Sequence, residues 1–141
     1  MGQLSNGAFD GSGTGTFSGA ISRTIVCRYD FAKQGGAVGS IEIGKVPSGA
    51  IIKGGFMVVD TGGIVGSGAT AGIDSEATSD IVTAAALSGA PWSTAGKKAI
   101  NPKANTPETT SIITTAARSI NFTITVAPVT AGSFTLYLEV F

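Results

Sequence analysis

The chain has 141 residues, 43% of them hydrophobic, and its nine basic and nine acidic residues give a formal net charge of zero. This length and apolar content predict one domain with its own core, or one domain plus an arm. The balanced charge argues against a nucleic-acid partner and against an acidic membrane. No apolar run approaches the length of a membrane-spanning helix, and Met1–Ala20 lacks the basic and apolar regions of a secretory signal.

The first twenty residues are rich in glycine and serine and have only two aromatic residues, Phe9 and Phe17. Such a segment buries too little to offset the entropy cost of ordering it alone. It is either a disordered tail or a flexible arm that orders against a neighbouring subunit, with Phe9 and Phe17 as its anchors. We therefore divide the chain into an arm, residues 1–20, and a β-domain, residues 21–141.

The first strong strand is Ile21–Phe31, in which Cys27 and Tyr29 alternate with polar residues and face the core. A second strand is predicted over Val38–Ile43 and is followed by a turn at Pro47. The next segment, Ala50–Asp60, is apolar on both sides. Its pattern groups Ile52, Phe56 and Val58 on one face and Ile51, Met57 and Val59 on the other, with Gly54-Gly55 where a bulge or corner belongs.

The middle of the chain gives weaker patterns. Thr61–Gly68 reads as a glycine-rich loop, and Ala69–Ile73 as a weak strand. Asp80–Leu87 is alanine-rich, with capping residues at its ends, and predicts one short helix despite its β-branched residues. Pro91–Pro107 is a long excursion that includes a short strand at Lys97–Ile100.

The last third alternates most clearly. Thr110–Thr115 predicts a strand, and Ser119–Val126 and Ser133–Phe141 predict two more. The side chains assigned to the core are Ile120, Phe122, Ile124, Val126, Phe134, Leu136, Leu138 and Val140. Because a short loop with a glycine joins the last two strands, they are expected to pair as an antiparallel hairpin. Seven to nine strands in all predict an all-β, antiparallel sandwich or jelly-roll-like single domain.

The residue types for chemistry are scarce. The chain has no histidine, so it cannot form a Ser-His or Cys-His pair. Cys27 is the only cysteine, which rules out an intrachain disulfide, favours a reducing compartment and is best interpreted as a small buried hydrophobe. Asp74, Glu76 and Asp80 cluster without the EF-hand spacing, and we expect solvated loop charges. The prediction is therefore no enzyme, no catalytic residue, no cofactor and no metal.

Trp92, the only tryptophan, lies in the loop Ala90–Ser93 and has two interpretations. It closes one end of the core, or it anchors an interface, because tryptophan is enriched at binding hot spots. The candidate partner-contact residues are therefore Phe9, Phe17 and Trp92.

Several short stretches resemble small structural proteins of tailed bacteriophages, and specifically head decoration, or capsid cement, proteins. They are Arg28–Phe31, Gly35–Ile41, Pro47–Ile52, Ser88–Thr94 and Thr115–Arg118, with the ending Val129–Glu139 as the closest part. The resemblance covers about residues 24–141 and includes no catalytic signature. The glycine-rich first twenty residues lie outside it.

The resemblance implies a β-sandwich or jelly-roll subunit on the outer surface of a bacteriophage capsid, made in the host cytoplasm. Its partners would be the major capsid protein and further copies of itself, as a homodimer or homotrimer, with no nucleic acid and no membrane. Such a protein stabilises the shell against internal DNA pressure by contact alone. The alternative is a host- or glycan-binding module on the virion surface. That role needs an exposed aromatic platform, for which the sequence offers Trp92, Tyr137 and the core-facing Tyr29.

Overall fold

The computed structural model describes residues 22–103 and 111–141, which contain nine strands and one four-residue helix. The elements are β1 (Arg23–Asp30), α1 (Phe31–Gln34), β2 (Gly39–Val46), β3 (Ile51–Val59), β4 (Thr70–Asp74), β5 (Val82–Ala86), β6 (Gly96–Ala99), β7 (Ile112–Ile113), β8 (Arg118–Thr125) and β9 (Ser133–Val140). The described part of the chain has no helix long and apolar enough to cross a membrane.

The strands form two antiparallel sheets that pack as a sandwich. Sheet I has the order β1-β9-β3-β6, with β7 paired to β3, and sheet II has the order β2-β8-β4-β5. When the two-residue β7 is set aside, the other eight strands divide into two sheets of four with the strand order of a jelly roll. The predicted all-β, antiparallel, jelly-roll-like sandwich is confirmed.

Alternation explains why β1 and β9 form and how they are oriented. In β1, Cys27 and Tyr29 are buried, whereas Val26 and Arg28 are exposed. The register places Val26 opposite Tyr137 and Tyr29 opposite Phe134, so both strands turn the same side inward. A slip by one residue would move every side chain to the other face, which makes this register well specified.

The strand β3 changes the side that faces the core part-way along its length. Its register against β9 shifts between Ile52 and Gly54, which confirms the predicted bulge. The predicted grouping of its faces is wrong, because Ile52 shares the buried side with Met57, whereas Phe56 lies on the outer side. The extra residue of the bulge reverses the alternation beyond it.

The helix predicted over Asp80–Leu87 is wrong. Residues Val82–Ala86 form the strand β5, which pairs with β4 and places Val82 opposite Ile73. A neighbouring strand supplies the backbone hydrogen bonds, so this tertiary pairing overrides the weak helical preference of the alanines.

The hairpin predicted from the last two strands is also wrong. β8 lies in sheet II and β9 in sheet I, so the chain crosses the sandwich between them. Val126, which was assigned to the core, is 80% exposed and has a φ of 74° at the start of this crossing. Val129 is buried and its N–H donates to the carbonyl oxygen of Gly36, which anchors the connection.

Four aromatic side chains occupy the centre of the core between the sheets. Tyr29, Trp92, Phe122 and Phe134 are all fully buried, and five of their pairs have ring centroids 4.5–5.6 Å apart. Tilted and edge-on contacts of this kind stabilise a core beyond simple area burial. Sheets I and II therefore meet over one shared aromatic centre.

Candidate functional site

The outer side of sheet I is unusually apolar. Seven large hydrophobic side chains of the described residues are exposed, and four of them, Val26, Ile51, Ile113 and Phe141, lie on this sheet or at its end. We define the apolar face as these four together with the half-buried Phe56, Val58 and Tyr137 on the same side. Contiguous exposed apolar surface of this kind marks binding sites on soluble proteins.

The centre of the apolar face is a row of three side chains from three neighbouring strands. The sheet register places Tyr137 between Val26 and Phe56. The rings of Tyr137 and Phe56 stack with centroids 4.7 Å apart and an angle of 23° between their planes. Next to the two rings lies a shallow depression of about 260 Å³, which is open because Gly54 and Gly55 add no side chains there.

Cationic side chains surround this apolar centre. The Nζ atom of Lys97 lies 4.4 Å from the centroid of the Phe56 ring, and that of Lys53 lies 5.1 Å from the Phe141 ring. Arg28 donates to Asp60 over 2.8 Å. Hydrogen bonds from Ser133 and Arg28 hold the pKa of Asp60 below its usual value. The apolar face is therefore a hydrophobic surface with a cationic rim.

The outer side of sheet II has the opposite character, because its polar groups bind one another. Thr123 donates to Asp74 over 2.9 Å and lies 3.1 Å from the hydroxyl of Ser40. Glu42 accepts from Ser119 over 2.9 Å and pairs with Lys45 over 2.7 Å. A polar face whose groups are already paired is an ordinary solvated surface, so the two sides of the sandwich differ clearly.

The predicted cluster of carboxylates does not act as one group. Asp80 is only 2% exposed and accepts hydrogen bonds from the backbone of Ser75, Glu76 and Ala77, so it ties the loop together. Glu76 pairs with Arg118 over 2.8 Å. The expectation of solvated loop charges is therefore wrong for Asp80. The described residues contain no group of three or more side chains placed to hold a metal ion.

The buried nucleophilic groups are protonated at neutral pH. Cys27 is 1% exposed, which confirms that it is a buried hydrophobe, and burial raises its pKa to about 11. Burial, and then the charge of Asp30, raise the pKa of Tyr29 to about 12. The Tyr29 hydroxyl donates to the carbonyl oxygen of Gly35 over 2.7 Å. Both side chains therefore serve the core.

The structure resolves the two interpretations of Trp92. Its side chain is 0% exposed, and its Nε1–H donates to the carbonyl oxygen of Ala71 over 3.1 Å. The indole closes the core and is not an exposed contact, which corrects its assignment as a partner-contact residue. The other two predicted contact residues, Phe9 and Phe17, lie outside the described residues.

The sequence analysis did not identify the apolar face as a site, although one signal for it was present. The segment Ala50–Asp60 is apolar on both sides, which requires either a second cover or an exposed apolar surface. The structure shows that Ile51, Phe56 and Val58 make up the side without a cover in the described chain.

Comparison with family models, curated proteins and solved structures finds no match for this chain. Its function must therefore be inferred from its own residues and surfaces.

Proposed function

We propose that this protein is a virion structural protein: a capsid decoration, or cement, protein that binds the outer surface of the major capsid protein shell. The observation that carries the proposal is the apolar face, a hydrophobic surface on one side of a sandwich whose other side is polar. The resemblance of residues 24–141 to bacteriophage decoration proteins supports the same role.

The proposed role requires contact and no chemistry. A protein that binds only the assembled shell stabilises that shell in proportion to its occupancy, by mass action. Burying the apolar face against capsid subunits would supply the main favourable free energy of binding. A homodimer or homotrimer placed over a two-fold or three-fold junction would bridge several capsid subunits at once and add avidity.

The first experiment is co-sedimentation of the purified protein with undecorated capsids, together with its mass in solution. We expect saturable binding at a fixed ratio to the major capsid protein. We also expect decorated capsids that hold packaged DNA to rupture at a higher temperature than stripped ones. The absence of binding, or equal rupture temperatures at full occupancy, would contradict the proposal.

The second candidate is a host- or glycan-binding module on the virion surface. The exposed Phe56–Tyr137 pair favours it, because aromatic rings stack on sugars. Two of the three aromatic residues suggested by the sequence, Tyr29 and Trp92, are buried, and Lys97 already contacts Phe56. A glycan array decides between the candidates, since specific binding would be lost in Tyr137→Ala for a sugar-binding module and would not occur for a cement protein.

A further inference from the structure

We propose that the apolar face docks on a protein surface that has an apolar centre and carboxylates around it. The inference rests on the proposed function and deepens it, because it names the chemistry of the capsid surface that receives the protein. The occupant we infer is therefore an acidic, partly apolar patch of the major capsid protein.

The apolar centre of the partner follows from the row formed by Val26, Tyr137 and Phe56. Val26 is 58% exposed, and the two rings beside it are half-buried, so the row presents a firm ridge with little side-chain freedom. Rigid aromatic groups give up little conformational entropy when a partner covers them. The depression of about 260 Å³ beside the ridge would accept one apolar side chain.

The acidic character of the partner follows from the distribution of charge between the two sheets. The strands of sheet I contain five basic residues, Arg23, Arg28, Lys53, Lys97 and Lys98, but only two acidic ones, Asp30 and Glu139. The strands of sheet II contain two of each, Lys45 and Arg118 against Glu42 and Asp74. The excess of positive charge, 5 − 2 = +3, is therefore confined to the sheet that carries the apolar face.

The lysines of the apolar face keep their charge available for a partner. Lys53 and Lys97 contact the rings of Phe141 and Phe56, and neither has an ion pair within the described part of the chain. A ring contact holds the ammonium near the surface but does not neutralise it. Carboxylates at the rim of the partner surface would complement these charges and speed association.

The test measures co-sedimentation with undecorated capsids for the full-length chain and for single charge reversals. We expect Lys53→Glu and Lys97→Glu each to weaken binding on the order of tenfold and to reduce its salt dependence. Lys45→Glu is the matched control: it changes the net charge by the same amount, but on sheet II, and should bind as the unaltered chain does. Thermal unfolding of each variant confirms that the comparison is between folded proteins.

The outcomes separate this inference from the proposed function. If the unaltered chain does not bind capsids, both fail. If it binds and the three variants bind equally well or equally badly, the docking surface is overturned while the decoration role stands. If the sheet I reversals change only the solution mass, a second copy of the chain occupies the face. If deletion of residues 1–21 exposes the face to labelling in the absence of capsids, the arm occupies it. Either result overturns the inference.

Discussion

At the scale of single residues, the structure gives most polar and aromatic groups one defined partner. Trp92 illustrates this: its ring packs against Phe122 and Phe134, and its N–H satisfies the Ala71 carbonyl. A large side chain with a polar atom is stable in a core only when that atom is bonded. The role of Trp92 is therefore structural.

Replacing Trp92 with Ala should lower the free energy of unfolding by about 3–5 kcal/mol, because it leaves a cavity at the centre of the core and removes a buried donor. Chemical denaturation measures this loss. Trp92→Phe, which keeps much of the ring, should cost less. A small effect of Trp92→Ala on stability with a large loss of capsid binding would contradict the core assignment.

Glu76 gives a prediction about pH. Hydrogen bonds from Arg118 and Thr115 lower its pKa to about 2. The unfolded value is about 4.3, so the pair stabilises the folded state fully above that pH and loses its effect as the pH falls towards 2. Glu76→Gln should therefore be less stable than the unaltered chain at pH 7, and the difference should shrink steadily below pH 4.

Thermal unfolding of both proteins between pH 7 and pH 2 checks this prediction. Glu42→Gln is a useful comparison, because Lys45 and Ser119 also lower the pKa of Glu42, but at a more exposed pair on β2. Its effect on stability should be smaller, since exposed ion pairs contribute little. A difference for Glu76→Gln that stays constant across the whole range would show that charge is not the cause.

At the scale of elements, β3 decides where the apolar face lies. Its bulge turns Met57 inward and Phe56 outward, and Gly55 has a φ of 149° at this point. A side chain on Gly55 would collide with the backbone carbonyl of Tyr137 on β9. Glycine is needed here because β9 passes too close for any other residue.

We therefore expect Gly55→Ala to lower the free energy of unfolding by about 1–3 kcal/mol, from both the collision and the backbone conformation. Gly54→Ala is the matched control, because an added Cβ there meets open space. It should change stability by less than about 0.5 kcal/mol. Urea denaturation of both variants tests the pair, and equal effects would show that the close approach of β9 is not limiting.

At the scale of the whole molecule, one core joins the two sheets and depends on residues 22–141. Every buried hydrophobic residue that the structure describes lies between Cys27 and Val140. The Gly-rich first segment, with Phe9 and Phe17, lies outside the described residues, and its predicted role as an arm stays a prediction.

Removing residues 1–21 should leave the β-sheet signal in circular dichroism unchanged and shift the melting temperature by only a few degrees, because the core strands remain complete. Capsid binding by the shortened chain, measured beside that of the full chain, then separates any contact by the arm from contact by the apolar face. A shortened protein without a cooperative unfolding transition would contradict the division of the chain.

The sequence alone determined the fold class and most of the core. Alternation in β1, β8 and β9 identified buried residues such as Tyr29, Phe122 and Phe134, because each strand has one side in water and one in the core. The lack of histidine and the buried position of Cys27 were readable in the same way. These properties depend only on which residue types tolerate burial.

Only the tertiary structure decided which strands are neighbours and which surface is left exposed. Any strand can satisfy the backbone of another, so alternation could not show that β8 and β9 lie in different sheets, or that Val82–Ala86 pairs with β4. The bulge at Gly54–Gly55 set the side of Phe56, and the packing of the indole against Phe122 and Phe134 placed Trp92 inside. The apolar face arises from these long-range arrangements, and no single segment of the chain encodes them.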